Sequence, residues 1–359
     1  MSKTYIIAEA GVNHNGNEEL AFQLIDAAVK AGADVVKFQT FKAKNLVTAK
    51  AQQANYQIQN TKKVESQLEM LTRLELSYET HHKLISYCNE KGIEFLSTAF
   101  DHESLAFLVK DLGLKRLKVP SGELTNAPLV LAHARTGADL IVSTGMANLA
   151  EIEAALGVIA FGYTTQNDAA PSVEAFESAY FSEAGKKALQ EKVILLHCTT
   201  EYPAPFNEVN LKVMDTLSAA FELPVGYSDH TKGIAVSVAA VARGAVLVEK
   251  HFTLDKEMEG PDHKASLDPV ELTAMVTAIR EVESAIGSGR KGPSASEIGN
   301  KIVARKSLVA SADIKKGETF SSSNLEVKRP GAGMSPSLYW SLLGKSATKD
   351  YESGDQIFE

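Results

Sequence analysis

The feature that most constrains the fold of this chain is an alternation. Eight short apolar runs follow one another, nearly all separated by segments of helical spacing. They are Tyr5 to Ala8, Asp34 to Phe38, Ile93 to Leu96, Arg116 to Val119, Leu140 to Val142, Val193 to Leu196, a run ending in Tyr227-Ser228-Asp229-His230, and Ala245 to Val248. Two parallel strands joined by a helix lie side by side with their C-terminal ends at one edge. Eight such units in a row predict an α/β fold, the (β/α)8 TIM barrel.

The ends of the runs carry the next observation. They close on, or just before, Glu9, Lys37, Thr98, Lys118 with Ser121, Ser143, Tyr202, His230 and His251. In this fold the active site lies at the C-terminal ends of the strands. One polar residue there is as often a loop-facing side chain; the repetition is what argues for a site. His230 and His251 follow adjacent strands, and neutral imidazoles so placed suit a divalent metal. The plain alternative is a hydrogen-bonded histidine at each strand end. Lys37 and Lys118, with Ser121, Ser143 and Ser228, would form an anion site. A metal beside two lysines suits a small phosphorylated or carboxylated molecule. Glu9 and Glu123 are candidate proton handlers or ligands, with structural hydrogen bonding as the alternative. The residues alone therefore give a metal-assisted barrel enzyme and leave its reaction open.

Helical spacing is clear at Glu18 to Ala31, closed by Gly32, and at Pro269 to Ile286, closed by Gly287. The long polar connection from Thr40 to about Gln67 is expected to be functional. The stretch Gly162 to Lys187 reads as a surface excursion with a short helix at Val173 to Tyr180. After Gly287 the composition changes. Residues 288–300 (SGRKGPSASEIGN) read as a linker between a barrel over residues 1–287 and a small module over 301–359. That module has β-type runs at Ser307 to Ala310 and Leu325 to Lys328 and a helix at Ser337 to Leu343, and is too small to be more than marginal alone.

A hydrophobic fraction of 44% and a charged fraction of 23% are those of a soluble globular chain. With a net charge of −8 and no basic stripe, nucleic acid is not an expected partner. Two cysteines, Cys88 and Cys198, allow no disulfide framework. No apolar run is long enough for a membrane span, and the N-terminal stretch lacks a signal-peptide layout, so a cytoplasmic enzyme is expected.

Several stretches resemble the sialic acid (nonulosonate) synthase family: EAGVNHNG from Glu9, VVKFQTFKA from Val35, LKVPSGE from Leu117, STGM from Ser143, HCTTEYPAPFNEVNL from His197, GYSDHT from Gly226, EKHFTLDK from Glu249, GPDHKAS from Gly260 and VKRPGAG from Val327. The tail resembles that family's antifreeze-like (SAF) domain. The resemblance implies condensation of phosphoenolpyruvate with an N-acetylated mannose-type sugar, releasing phosphate and giving a nine-carbon sialic-acid-type sugar. The acceptor it implies is N-acetylmannosamine or 2,4-diacetamido-2,4,6-trideoxymannose, and the metal Mn2+ or Mg2+. It implies that His230 and His251 hold the metal. Lys37, Thr98, Lys118, Ser121, Ser143 and Ser228 would bind phosphoenolpyruvate. Glu123, Tyr202 and Asp262 would bind the sugar, with Arg329 reaching the sugar of the partner subunit in a domain-swapped homodimer. Glu9 would sit by the reacting carbons. The rival readings are another metal-dependent phosphoenolpyruvate-aldose synthase or barrel aldolase, and a non-catalytic carbohydrate-binding protein.

Overall fold

In a computed structural model describing residues 3–61 and 63–359, eight parallel strands close into a barrel in the order β1 to β8. Met1, Ser2 and Lys62 lie outside the described residues, and with the first two the start of the N-terminal stretch read above. In chain order the barrel unit runs β1 (Tyr5–Gly11), α1 (Glu18–Ala31), β2 (Val35–Thr40), α2 (Ala43–Leu46), α3 (Asn55–Thr61), α4 (Gln67–Leu74), α5 (Tyr78–Lys91), β3 (Glu94–Ala99) and α6 (His102–Ala106). It continues with β4 (Arg116–Val119), α7 (Ala127–Arg135), β5 (Asp139–Ser143), α8 (Leu149–Thr164), α9 (Val173–Tyr180), α10 (Glu183–Lys192) and β6 (Val193–Cys198). It ends with α11 (Val213–Phe221), β7 (Val225–Asp229), α12 (Ala235–Ala242), β8 (Leu247–His251) and α13 (Pro269–Ile286).

Local chemistry sets the helix limits. The Asn17 side chain accepts from the Leu20 amide at the start of α1, and Gly32 ends it at φ +81°, a conformation costly for any residue with a Cβ. The face with Ala21, Leu24, Ile25 and Ala28 is buried against the barrel. At the end of the barrel unit, Asp268 and Glu271 form a reciprocal capping box that starts α13.

Inside the barrel, Ile7, Val35, Leu96, Ile141, Leu196 and Leu247 fill one apolar cluster. At the N-terminal ends of the strands Tyr5, Glu94 and Arg116 interlock, the Arg116 guanidinium lying 4.7 Å over the Tyr5 ring and 3.0 Å from Glu94. A second polar latch closes the same end. Arg280 of α13 donates to the Thr4 carbonyl and to Asp34 at 2.8 and 2.7 Å, and Asp34 accepts from the Ile6 amide at 2.9 Å.

Two stretches differ from the sequence expectation. The connection after β2 holds α2, α3 and α4, with Val12, Phe41, Met70 and Leu74 forming a small apolar cluster. Its many Lys, Gln and Asn residues hid the helical spacing. The stretch from Gly162 to Lys187 is less of an excursion than its polarity suggests: α8 extends to Thr164, α9 packs along α8, and α10 leads into β6.

The second compact unit spans Ser288–Glu359. It contains α14 (Ala295–Ala304), an antiparallel pair β9 (Ser307–Ala310) and β10 (Leu325–Lys328), and α15 (Tyr339–Leu342) preceded by a 3-10 turn at Pro336–Leu338. Its core is built on Leu308, Ile314, Phe320, Leu325, Tyr351 and Ile357. Residues 295–300, read as linker, are helical because Ser294 and Glu297 form a capping box that the Gly/Ser/Pro composition obscured.

Candidate active site

The barrel interior changes character over one strand repeat. Side chains of residues i and i+2 share a face of a strand. Going up by two converts the apolar layer into a polar one: Ile7 to Glu9, Val35 to Lys37, Leu96 to Thr98, Ile141 to Ser143, Leu196 to Cys198, and Leu247 to Glu249. Arg116 to Lys118 and Gly226 to Ser228 complete the ring. The register agrees: Glu9 pairs with both Lys37 and His251, Thr98 with Lys118, and Ser228 with Glu249. A cavity of about 170 Å3 opens above this layer.

Ten of the residues singled out from sequence line it: Glu9, Lys37, Thr98, Lys118, Ser121, Ser143, Tyr202, Ser228, His230 and His251. Glu249, Cys198, Gln39, Phe100 and Thr200 line it too and were missed as site residues. Period two was the available signal for Glu249 and Cys198. With His251 facing inward, Glu249 must face inward also, while Lys250 points outward to a buried ion pair with Asp229 at 3.0 Å. Glu123, Asp262 and Arg329 do not line the cavity. Glu123 follows Ser121 on a 3-10 turn and accepts from Asn126 at 2.7 Å. Asp262 is buried just before the 3-10 turn His263–Ala265. Arg329 belongs to the second unit, directly after β10.

Charge in the cavity is dense and nearly balanced. Lys37 Nζ lies 2.8 Å from Glu9 and 3.4 Å from Glu249 and donates to Thr98 Oγ1 at 3.0 Å. Lys118 Nζ lies 3.3 Å from Glu249, which also accepts from Ser228 at 2.8 Å. Burial works against the charge on Lys37, but the carboxylates of Glu249 and Glu9 outweigh it and raise its pKa. For Lys118 burial wins, and its pKa falls. Glu249 is also opposed by burial, yet the two ammonium groups hold it well below the usual carboxylate range. Burial, with the Glu249 charge beside it, pushes Glu9 up to about 7. One carboxylate is thus fixed as an anion and the other is poised to exchange a proton.

The Ser143 hydroxyl is buried with no hydrogen-bond partner among the described residues, and Ser121 Oγ accepts from the Gly145 amide at 3.0 Å. Orphaned buried hydroxyls are costly, so a ligand oxygen at this place would be stabilising. The two histidines stand with ring centroids 5.7 Å apart, and Tyr202 packs on His230 at 4.2 Å. His230 Nδ1 lies 2.6 Å from the Thr199 carbonyl, which can only accept, so Nδ1 carries the proton and Nε2 keeps its lone pair. His251 Nδ1 is buried without a partner among the described residues. Burial pushes His230 down to about 4; burial and the neighbouring His230 push His251 far below its ordinary value. Both rings are neutral near pH 7 and each has a nitrogen to offer, which fits a divalent cation. Among the described residues no cluster of three His, Cys, Asp or Glu side chains could complete its coordination.

Fold and site together give a closed parallel barrel whose cavity sets two lysines and three serines beside a histidine pair at the C-terminal ends of its strands. Comparison with known proteins narrows the class. Residues 24–291 match the NeuB family and residues 305–359 the SAF domain. The chain belongs to the NeuB family. It is 52% identical over 359 residues, all of both chains, to the N,N'-diacetyllegionaminic acid synthase of Campylobacter jejuni. It is 44% identical over 353 residues to the synthase of the same name from Legionella pneumophila, covering 98% of this chain and 93% of that one. Among solved structures it resembles the N-acetylneuraminic acid (sialic acid) synthetase of Leptospira borgpetersenii in complex with citrate, with TM-score 0.66 and 32% identity over 83% of this chain and 90% of that one. Among the described residues no helix is long and apolar enough to cross a membrane.

Proposed function

We propose that this enzyme condenses phosphoenolpyruvate with 2,4-diacetamido-2,4,6-trideoxymannose, giving N,N'-diacetyllegionaminic acid and phosphate. The observation that carries the reading is the buried polar layer, in which two lysines, three serines and two neutral histidines meet above an apolar barrel floor. The acceptor is taken from the names of the two legionaminic acid synthases, one of them similar to this chain over its whole length.

In this reading Lys37 and Lys118, with Thr98, Ser121, Ser143 and Ser228, hold the phosphate and carboxylate of phosphoenolpyruvate. Preorganised charge of this kind stabilises the leaving phosphate without reorganisation during the reaction. His230 and His251 would hold Mn2+ or Mg2+, which when bound supplies Lewis-acid polarisation of the acceptor aldehyde. The C=C electron pair of phosphoenolpyruvate bonds its methylene carbon to that aldehyde carbon, the aldehyde C=O pair moves onto oxygen, which takes up a proton to become a hydroxyl, and C2 is left electron-poor. Water then adds to C2, and Glu9 is placed to accept the proton it loses. The C2–O bond to phosphate breaks, the electron pair leaves with the phosphate, and the hydroxyl on C2 passes its proton to the phosphate as it becomes the ketone. Glu123, Tyr202 and Asp262 contact the sugar. Arg329 reaches it from the partner subunit of a homodimer, and the enzyme works in the cytoplasm.

The test is phosphate release from phosphoenolpyruvate with Mn2+ and either acceptor. Strong turnover with 2,4-diacetamido-2,4,6-trideoxymannose and little with N-acetylmannosamine is expected. The reverse would make the product N-acetylneuraminate, and silence with both in folded, metal-replete protein would refute the synthase reading.

A further inference from the structure

Two charges interrupt the outer layer of β7 and β8. Alternate residues of a strand share a face. On the face turned to the helices, Tyr227 of β7, Val248 of β8 and Phe252 just beyond it belong to the apolar core. Asp229 and Lys250 stand two residues on from Tyr227 and Val248, on the same faces, and are charged yet buried. They are register partners, and Lys250 Nζ lies 3.0 Å from Asp229 Oδ2.

A buried ion pair is a poor source of stability, because desolvating both charges offsets most of their attraction. What it supplies is direction, since charge-assisted hydrogen bonds hold their partners at short range. The bonds of this pair bear on one turn. Asp229 Oδ1 accepts from the Thr231 amide and from Thr231 Oγ1, both at 2.8 Å, which closes a turn with His230 at its centre. Asp229 Oδ2 accepts from Ser237 Oγ of α12 at 2.6 Å, and Lys250 Nζ donates to the Thr231 carbonyl. The turn that carries His230 is thereby tied to α12 and, through Lys250, to the residue before His251.

The two imidazoles face the other way, into the cavity, from these same strand ends. Asp229 and Lys250 are the last register pair of β7 and β8, so backbone pairing of the two strands stops just short of the histidines. His230 has supports of its own: its Nδ1 meets the Thr199 carbonyl, and its carbonyl accepts from the Ala204 amide at 2.8 Å. His251 Nδ1 has no partner among the described residues. The spacing of the rings, 5.7 Å between centroids, therefore depends on how firmly the two strand ends are joined behind them.

We propose that Asp229 and Lys250 are positioning residues for the histidine pair, fixing the spacing at which His230 and His251 present nitrogens to a divalent cation. A constellation of this kind tolerates a displacement of only about 0.5 Å. The inference rests on the reading of the two histidines as the metal ligands.

The test removes the pair without leaving a charge behind. In full-length Asp229→Asn/Lys250→Met the Asn oxygen can still accept from Thr231, so the turn closes and neither charge is orphaned. This double variant should melt close to the wild type. Its Mn2+ affinity, read from free Mn2+ by electron spin resonance, should fall about 10–100-fold. Inorganic phosphate should raise its melting temperature as much as the wild type's, because Lys37 and Lys118 lie on β2 and β4. Wild-type Mn2+ affinity in the folded double variant overturns the proposal. So does a joint loss of Mn2+ affinity and phosphate stabilisation, which would make the pair a general brace of the barrel. Should the double variant unfold, Thr231→Val decides, since it keeps both charges and removes one donor to Asp229. It should fold and bind Mn2+ about threefold to tenfold more weakly, and unchanged affinity there overturns the proposal. His230→Ala separates the two ideas. Mn2+ binding that survives it refutes the metal reading and the positioning role together; loss there beside wild-type affinity in the double variant refutes the positioning role alone.

Discussion

Glu249 and Lys118 stand 3.3 Å apart, both buried, and the same carboxylate lies 3.4 Å from Lys37. Glu249 thus pairs with both cations at the centre of the cavity, and Glu9, 2.8 Å from Lys37, is the second anion. Removing one member of a buried pair leaves an unpaired charge and costs about 3–5 kcal/mol. Glu249→Gln should therefore lower the melting temperature markedly. Inorganic phosphate would restore negative charge between the lysines, so it should raise the variant's melting temperature more than the wild type's. Equal phosphate shifts in the two proteins would show that the lysines are not the phosphate cradle.

The histidine pair makes a second prediction. His230 and His251 are buried and neutral, so replacing either by Ala leaves no uncompensated charge. His230→Ala and His251→Ala should remain folded by circular dichroism. Each should lose more than the about 10–100-fold in Mn2+ affinity that follows loss of a mere supporting contact. Free Mn2+ measured by electron spin resonance reads this independently of turnover. Unaltered Mn2+ binding, or full activity after chelation, would remove the pair from the metal site.

Much of this site was legible in the sequence because strand ends are where a barrel places its chemistry. Lys37, Thr98 and Ser143 could be named by position alone. Glu249 could not be chosen that way, because its strand ends on three polar residues, Glu249-Lys250-His251, and run-end position does not separate them. Strand periodicity does: it sends Glu249 and His251 inward and Lys250 outward to Asp229. Asp262 was reached only through the family resemblance, since a carboxylate in a loop has no periodicity to orient it. The helices α2 to α4 and α14 were missed for a different reason. Their composition is polar or rich in Ser and Gly, and α14 buries no face at all. Hydrophobic spacing carries little information where packing against the core is absent.

The latch at the other end of the barrel predicts a pH dependence. Burial alone would raise the Asp34 carboxyl, but hydrogen bonds from Lys3, the Ile6 amide and Arg280 outweigh it and hold its pKa below the ordinary 3.8. A depressed carboxylate stabilises the fold fully above its unfolded pKa, and that contribution is lost as pH falls through its folded value. Asp34→Asn should therefore be less stable than wild type across neutral pH. The gap should close only below about pH 3.8, as the wild-type carboxyl is protonated. Urea unfolding at pH 7 and pH 3 measures this, and a gap unchanged at low pH would mean that Asp34 acts through shape alone.

Gly145 offers a test of the anion cradle that alters no charge. A Cβ on this residue would fall 2.3 Å from Thr200 Oγ1, 2.8 Å from Ser121 Oγ and 3.0 Å from Cys198 Sγ. Such approaches force neighbouring atoms to move, and overpacking of this kind costs about 1–3 kcal/mol. The atoms that must yield are those lining the cavity, and Ser121 also accepts from the Gly145 amide. Gly145→Ala should thus displace Ser121 and Thr200 while leaving the apolar barrel floor untouched. The expected result is a KM for phosphoenolpyruvate raised at least about tenfold, which corresponds to about 1.4 kcal/mol of lost binding. The KM for the sugar should change much less, since none of the three displaced side chains is assigned to it. Equal losses for both substrates would mean that the β5 turn shapes the whole mouth, and an unchanged KM for phosphoenolpyruvate would place its phosphate away from Ser121.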